Sequence, residues 1–327
     1  MSDTPRTWAV VGAGAMGSVI GGHLALAGHS VTLVDVRRDH IDAIRTDGLV
    51  MRRPDGTAST VRLDATVDPS ADLRPVDVLL FMCKTFATVE AARSVAHALA
   101  PGGVAATLQN GLGNDRRLAE VFDADRVIPG TTTVGAESVA PGVVLMAPAT
   151  AEGRSLTEMG PPRTVEVSGD ADVPSAVRDV AADLTAAGLP AEALPSADTV
   201  IWSKVAMAAS MAGLTAALRQ TVADVIGEPT AWALWTDMFE EVVAVATAAG
   251  VDLDVAALRT RCVDTYTSVG PHITSMAADV VAGRRTEVHA LALGVAEEGR
   301  RVGVPTPVND VVGRIVKSLE ATYDRSL

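Results

Sequence analysis

An apolar run, Trp8 to Val11, feeds directly into Gly12-Ala13-Gly14-Ala15-Met16-Gly17, and no other stretch limits the fold so tightly. The residues that follow, through Leu24 to Ala27, read as a helix. A second apolar run, Val31 to Val34, then ends on Asp35. Strand, glycine turn, helix, strand and acid come in the order that binds a dinucleotide. Gly12 permits the tight turn, Gly14 has no side chain to obstruct a pyrophosphate, and Gly17 lets the helix approach the strand. The helix N-terminus at Ala15, Met16 and Gly17 offers backbone N–H groups to phosphate. Taken alone, the glycines fit a turn in some other α/β protein; the flanking elements favour the nucleotide.

Strand-like runs at residues 8–11, 31–34, 78–83, 103–108 and 126–129 alternate with helical stretches such as 88–99. This alternation predicts a parallel, doubly wound sheet. Residues 142–167 hold short β-like pieces rich in Gly and Pro, which predicts a hairpin extension of that sheet. From about Ser196 the pattern turns helical. Pro229 and Thr230 open one helix, with Leu234, Met238, Val242 and Val245 at helical spacing and Gly250 as the stop. Residues 254–263 and 273–281 continue the helical character, and a last helix spans about 309–321. The expected fold class is α/β: an N-terminal Rossmann doubly wound sheet over residues 1–195 and an all-helical C-terminal domain over 196–327. The cleft between them is the expected site.

Several side chains are placed to carry chemistry. Lys84 ends the third strand, at the carboxyl end where parallel sheets bind ligands; a solvent-facing lysine is the alternative. Gln109 and Asn110 follow the next strand, where amides can bond ribose, nicotinamide or substrate, although turn chemistry accounts for Gly111 and Asn114. Thr131, Thr132 and Thr133 either line the nucleotide or are ordinary strand residues. Lys204 lies in an otherwise apolar helix, Trp202 to Ala209. It either reaches water along its stem or is held in a cleft, where burial would lower its pKa and suit it to acid–base work. Ser275 and Asp279 share a helix face, and Glu287 follows after Arg284 and Arg285, which a solvated helix end explains.

These pieces, in this order, resemble the ketopantoate reductase (2-dehydropantoate 2-reductase) family. The resemblance runs from Gly12–Gly17 through Lys84, Gln109 to Asn114, Thr131 to Thr133, Gly135-Ala136-Glu137, Trp202 and Lys204. It closes with Ser275-Met276, Asp279, Arg284 to Glu287, and Gly303 to Asn309. It implies reduction of a 2-oxo acid to a 2-hydroxy acid by NAD(P)H. Lys204 would be the general acid, Glu287 would bond Lys204 or a substrate hydroxyl, and Ser275 would bind the substrate carboxylate. Lys84 and Asn110 would stand where cofactor and substrate meet. The chain departs from the family where asparagines stand one and two helical turns after the lysine; here they are Ala208 and Ala212. Two polar substrate contacts become methyls, which implies a substrate larger or more apolar on that side than ketopantoate. Val134 stands where a histidine is frequent. Asp35 ends the second strand, where an acid accepts both ribose hydroxyls and repels a 2′-phosphate. NAD(H) is therefore the favoured cofactor, with NADP(H) left open by Arg37 and Arg38.

Composition sets the remaining expectations. A net charge of −13 disfavours nucleic acid and anionic membranes as partners. Aromatic residues are 3%, so the core must rest mainly on Ala, Val and Leu. Cys83 and Cys262 are expected to be buried thiols, and no metal site is expected. Met1 to Arg6 shows no leader before the first strand, and the apolar stretch 205–218 reads as a buried helix rather than a span. The protein is expected in the cytoplasm, with a small-molecule substrate and a possible homodimer through the helical domain. Three other readings stand beside this one: a 3-hydroxyacid or opine-type dehydrogenase, a reductase of an imine or other carbonyl, and a non-catalytic nucleotide-binding relative.

Overall fold

A computed structural model describes residues 5–323. Met1 to Thr4, on which the leader reading bears, lie outside the described residues. The chain divides into two units. One runs up to Gln109 and then from Asn114 to Ala197. The other combines the four residues Asn110–Gly113 with everything from Asp198 onward.

The first unit carries the strands β1 (Thr7–Val11), β2 (Ser30–Val34), β3 (Leu49–Arg52), β4 (Ala58–Val61), β5 (Asp64–Thr66) and β6 (Val76–Phe81). They are followed by β7 (Leu99–Thr107), β8 (Val127–Thr132), β9 (Ala136–Ala140), β10 (Val143–Met146), β11 (Thr157–Met159) and β12 (Ala191–Ala193). Its longer helices are α1 (Ala15–Leu26), α2 (Arg38–Asp47), α4 (Thr88–Val95), α5 (Asn114–Leu118) and α7 (Ser175–Ala186); α3 (Pro69–Asp72) and α6 (Pro148–Ala151) are single turns. An eight-stranded sheet has the order β12-β11-β8-β7-β6-β1-β2-β5. Its strands from β8 to β5 are mutually parallel, and β11 joins antiparallel to β8. The order reverses between β1 and β6, which is where such sheets take ligands. Alternate residues feed two apolar layers: Trp8 and Val10 face one, Ala9 and Val11 the other.

Three expectations change in detail. The residue 142–167 segment does not simply extend the main sheet. β9 and β10 pair with β3 and β4 in a separate sheet, β4-β3-β10-β9, and only β11 joins the large one. This second sheet covers the back of α1, where a Cβ on Gly22 would lie 2.6 Å from Met51 Sδ. The helix expected over 88–99 stops at Val95, passes through a 3₁₀ turn over Ala96–Ala98, and Leu99 already belongs to β7, paired with Val76. The third parallel strand ends at Phe81, so Lys84 stands on the turn after it rather than on the strand.

The second unit contains α8 (Asp198–Leu218), α9 (Val222–Gly227), α10 (Pro229–Ala248), α11 (Val255–Val269), α12 (Ser275–Val281), α13 (Ala292–Val302) and α14 (Pro307–Glu320). By length and composition α8 could cross a membrane, but 61% of its most apolar window is buried within the structure. It packs against α10, α12 and α14. The aromatic residues are few but concentrated. Trp235 stacks on Trp232 and Phe239, and meets Tyr266 edge-on. Trp235 Nε1 donates to Tyr266 Oη at 3.3 Å, and Tyr266 donates to Met207 O at 2.7 Å, tying α11 to α8.

The start of α14 is capped from α10. Glu241 accepts the N–H groups of Val308 and Asn309 at 2.8 and 2.9 Å, and Asn309 Nδ2 at 2.8 Å. Pro307 occupies the first turn, where a missing N–H is harmless. Glu241→Ala leaves these donors without their acceptor and should cost about 2 kcal/mol. Glu241→Gln, which keeps an acceptor, should lose less. Denaturant unfolding of both variants checks this order.

Candidate active site

The nucleotide loop is built by close contact. Gly12 has φ +102°, and a Cβ there would lie 2.2 Å from the backbone N of Cys83. At Gly17 a Cβ would lie 2.2 Å from the carbonyl oxygen of Gly12. Around Gly14 nothing stands within 4 Å of where a Cβ would be. Two glycines are thus demanded by packing and the third leaves open space, as a pyrophosphate requires. Gly12 N and Ala13 N both donate to Val34 O, at 2.8 and 3.1 Å, which seats the turn on β2. The first helical bond of α1 is Ser18 N to Gly14 O at 2.9 Å. The amides of Ala15, Met16 and Gly17 precede it and point out of the helix N-terminus. These residues fit a dinucleotide's phosphates.

Asp35 follows β2, beside this loop. Its Oδ1 accepts the N–H of Arg37 at 2.9 Å and lies 3.7 Å from Arg37 Nε. The acid therefore shares its charge with a neighbouring guanidinium. On the other side of the switch point, Met82 N donates to Val11 O at 2.8 Å and carries the chain to Cys83 and Lys84. Cys83 corrects the sequence expectation: its peptide packs on Gly12, and its side chain is only half-buried because the strand has already ended. Cys262, by contrast, is fully buried, and burial pushes its thiol up to about 11.

Gln109 has a clearer task than the sequence suggests. Its Nε2 donates to Cys83 O at 2.7 Å and to Thr88 Oγ1 at 2.8 Å, while its Oε1 accepts from Thr107 Oγ1 at 2.9 Å. It clamps the Cys83–Lys84 turn to the ends of β7 and α4. Lys84 is half-buried on that turn, and Ala87 N donates to its carbonyl at 2.8 Å.

In the second unit, Lys204 is half-buried on α8. Burial lowers its pKa to about 8, against the opposing pull of the Glu287 carboxylate. Ala208 and Ala212 follow on the same helix face. Further along that face, Thr215 Oγ1 meets Thr274 Oγ1 at 2.7 Å. Thr274 caps α12 by accepting from Ala277 N, so Ser275, exposed, is placed by the Thr215 end of the face. Lys204 stands about three turns before Thr215 on α8.

The segment that bears Glu287 is fixed from two sides. Glu320, at the end of α14, accepts Thr286 N at 2.8 Å and Thr286 Oγ1 at 2.6 Å. Leu112 N donates to Ala290 O at 2.8 Å, and a Cβ on Gly111 would fall 2.4 Å from that oxygen. These contacts are why Asn110 and its neighbours belong with the helical unit, although they follow a sheet strand. Asp279 is buried and paired with Arg284 at 2.9 Å, which gives it a structural task at the same turn. Neither Glu320 nor Thr286 carries a local sequence signal for this role.

A glycine loop fitted to a dinucleotide, beside the point where the order of a parallel sheet reverses, defines a dinucleotide-binding fold. Residues 8–161 match the family described as ketopantoate reductase PanE/ApbA, and residues 196–320 match its C-terminal part. A 2-dehydropantoate 2-reductase of Halobacterium salinarum is 33% identical, over 94% of this chain and 97% of that one. The crystal structure of a PanE/ApbA family ketopantoate reductase from Ralstonia eutropha has 30% identity and a TM-score of 0.83, covering 98% of this chain and 100% of the other. D-mandelate dehydrogenase, in a ternary structure with NADH and anilino(oxo)acetate, shares the fold at 24% identity with a TM-score of 0.87, covering 98% and 100%. The chain belongs to the ketopantoate reductase family, oxidoreductases acting on CH–OH groups.

The electrostatic link within the helical unit can be read directly. Only Lys84, Lys204 and Lys317 are lysines. In Glu287→Gln the carboxylate that favours the ammonium is gone, so the Lys204 pKa should fall below about 8. NMR titration of labelled lysine side chains, with three to assign, measures it; an unchanged value would show that the two groups do not interact.

Proposed function

We propose that this protein reduces the ketone of a 2-oxo acid to a 2-hydroxy acid, with Lys204 as the general acid. The observation that carries the reading is the lowered pKa of Lys204 beside Glu287. Bound NAD(P)H supplies the hydride. The amides of Gly14, Ala15, Met16 and Gly17 bind the pyrophosphate, and Asp35 accepts the ribose hydroxyls. Lys84 and Asn110 contact the bound cofactor and the substrate. As the carbonyl oxygen gains negative charge, the Lys204 ammonium stabilises it and then donates a proton from Nζ. Glu287 keeps that ammonium charged at neutral pH, and Ser275 binds the substrate carboxylate.

Ala208 and Ala212 present methyl groups where the family carries amides. A polar substituent on the 2-oxo acid has no partner there, and an apolar one has a matching wall. The preferred substrate is therefore a 2-oxo acid with a larger or more apolar side chain than ketopantoate.

The direct test follows oxidation of NADH and NADPH with ketopantoate and a panel of branched and aryl 2-oxo acids, in wild type and Lys204→Ala. Turnover should vanish in the variant, and an apolar 2-oxo acid should give the highest kcat/KM. Equal or better turnover of ketopantoate would refute the substrate reading, and silence across the panel would refute 2-oxo acid reduction. Because the acid form of Lys204 is the active one, reduction should proceed below about pH 8 and fall as pH rises through that value.

NADH should be the better cofactor, since Asp35 repels a 2′-phosphate. Asp35→Ala leaves Arg37 and Arg38 and should move the kcat/KM ratio about tenfold towards NADPH. An unchanged ratio would remove Asp35 from the assignment.

A further inference from the structure

One buried polar side chain in the sheet unit has no place in the scheme above. His40 is completely buried, although α2 around it is rich in charge. Both ring nitrogens are held. The N–H of Gly142, in the turn between β9 and β10, donates to Nδ1 at 3.0 Å. A backbone N–H can only donate, so Nδ1 carries no proton. The proton of the neutral ring therefore sits on Nε2, which donates to Ser18 Oγ at 3.2 Å. Ser18 Oγ donates in turn to the carbonyl oxygen of Ala13 at 3.0 Å.

That carbonyl belongs to the peptide joining Ala13 to Gly14. A peptide is planar, with its C=O and N–H on opposite sides, so holding the oxygen fixes where the Gly14 N–H points. Gly14 is the position with open space around it, at the N-cap of α1. Arg37 Nη2 also reaches the Ala13 oxygen, at a longer 3.5 Å.

We propose that His40, acting through Ser18, is a positioning residue that pre-sets the Ala13–Gly14 peptide for pyrophosphate binding, with the β9–β10 turn as its anchor. This rests on the nucleotide reading of the loop. It also gives the second sheet a role in the site: Val50 N donates to Gly142 O at 2.8 Å, so β3 holds the residue that holds His40. The relay requires a neutral ring, since a proton on Nδ1 would face the Gly142 N–H donor to donor. Burial and then Arg37 keep the histidine below its ordinary pKa, against Asp35, Asp39 and the Ala13 carbonyl.

The test is NADH binding, followed by nucleotide fluorescence, with melting curves of the unliganded proteins alongside. An Asn carbonyl at 40 can accept from Gly142 but is too short to reach Ser18; a Gln amide can donate where Nε2 donates. His40→Asn and Ser18→Ala should each weaken NADH binding about tenfold, the loss expected for one well-placed hydrogen bond. The double variant should lose no more than either alone, because both cut one chain. His40→Gln should bind like the wild type. Unchanged affinity in Ser18→Ala, which keeps the helix intact, would overturn the proposal even if His40→Asn folds poorly. Additive losses would overturn it too. A wild type that binds neither NADH nor NADPH would instead refute the nucleotide reading, and the positioning role with it.

Discussion

The contact between Gly12 and the Cys83 peptide is the constraint on which the sheet unit's site depends. No side chain fits between them, since even a Cβ would lie 2.2 Å from the Cys83 nitrogen. It brings the loops after β1 and β6 together at the point where strand order reverses. Once they touch, the rest is forced. Gly17 must also lack a side chain, because the Gly12 carbonyl occupies its space. Gln109 then holds the Cys83 carbonyl from the far side, so the turn bearing Lys84 is fixed by backbone on one face and by an amide on the other. Positioning by backbone and buried polar groups leaves little freedom to lose when a ligand binds.

The helical unit addresses a different difficulty, an ammonium on an apolar helix. Burial lowers Lys204 from 10.5 to about 8 and so favours its neutral form. Glu287 offsets part of this shift, and only if the carboxylate is held in place. The Arg284–Ala290 stretch has no regular secondary structure except turns, so its rigidity must come from outside. Glu320 supplies it at Thr286 and the Gly111–Leu112 segment at Ala290.

What could be seen in the chain beforehand was local. Strand, glycine turn, helix, strand and Asp35 lie within thirty or so residues, and each leaves its own pattern. Lys204 stood out because a cation interrupts an apolar helical run. The second sheet did not stand out, since β3 and β10 are short and pair in parallel across a long stretch of chain, which no local periodicity reports. The allegiance of Asn110–Gly113 was hidden for the same reason: the sequence places them after a strand, and the contact with Ala290 places them with the helices. Nothing local marks His40, a single polar residue in a stretch rich in charge. Its burial depends on a turn that reaches it from a different sheet.

The use of lysine against arginine makes the same division visible. Positive charge in this chain is almost wholly arginine, and guanidinium cannot release a proton at ordinary pH. Ion pairs such as Arg284–Asp279 and Arg301–Glu298 are well served by it. Acid chemistry, the role proposed for Lys204, is not. Lys84 is on the turn held against the nucleotide loop. Lys317 bonds Glu320 at 2.7 Å, the carboxylate that anchors Thr286 next to Glu287. Lys204 and Lys317 thus belong to one set of interactions within the helical unit, through Glu287 and through Glu320, and Lys84 to the turn beside the nucleotide loop in the sheet unit.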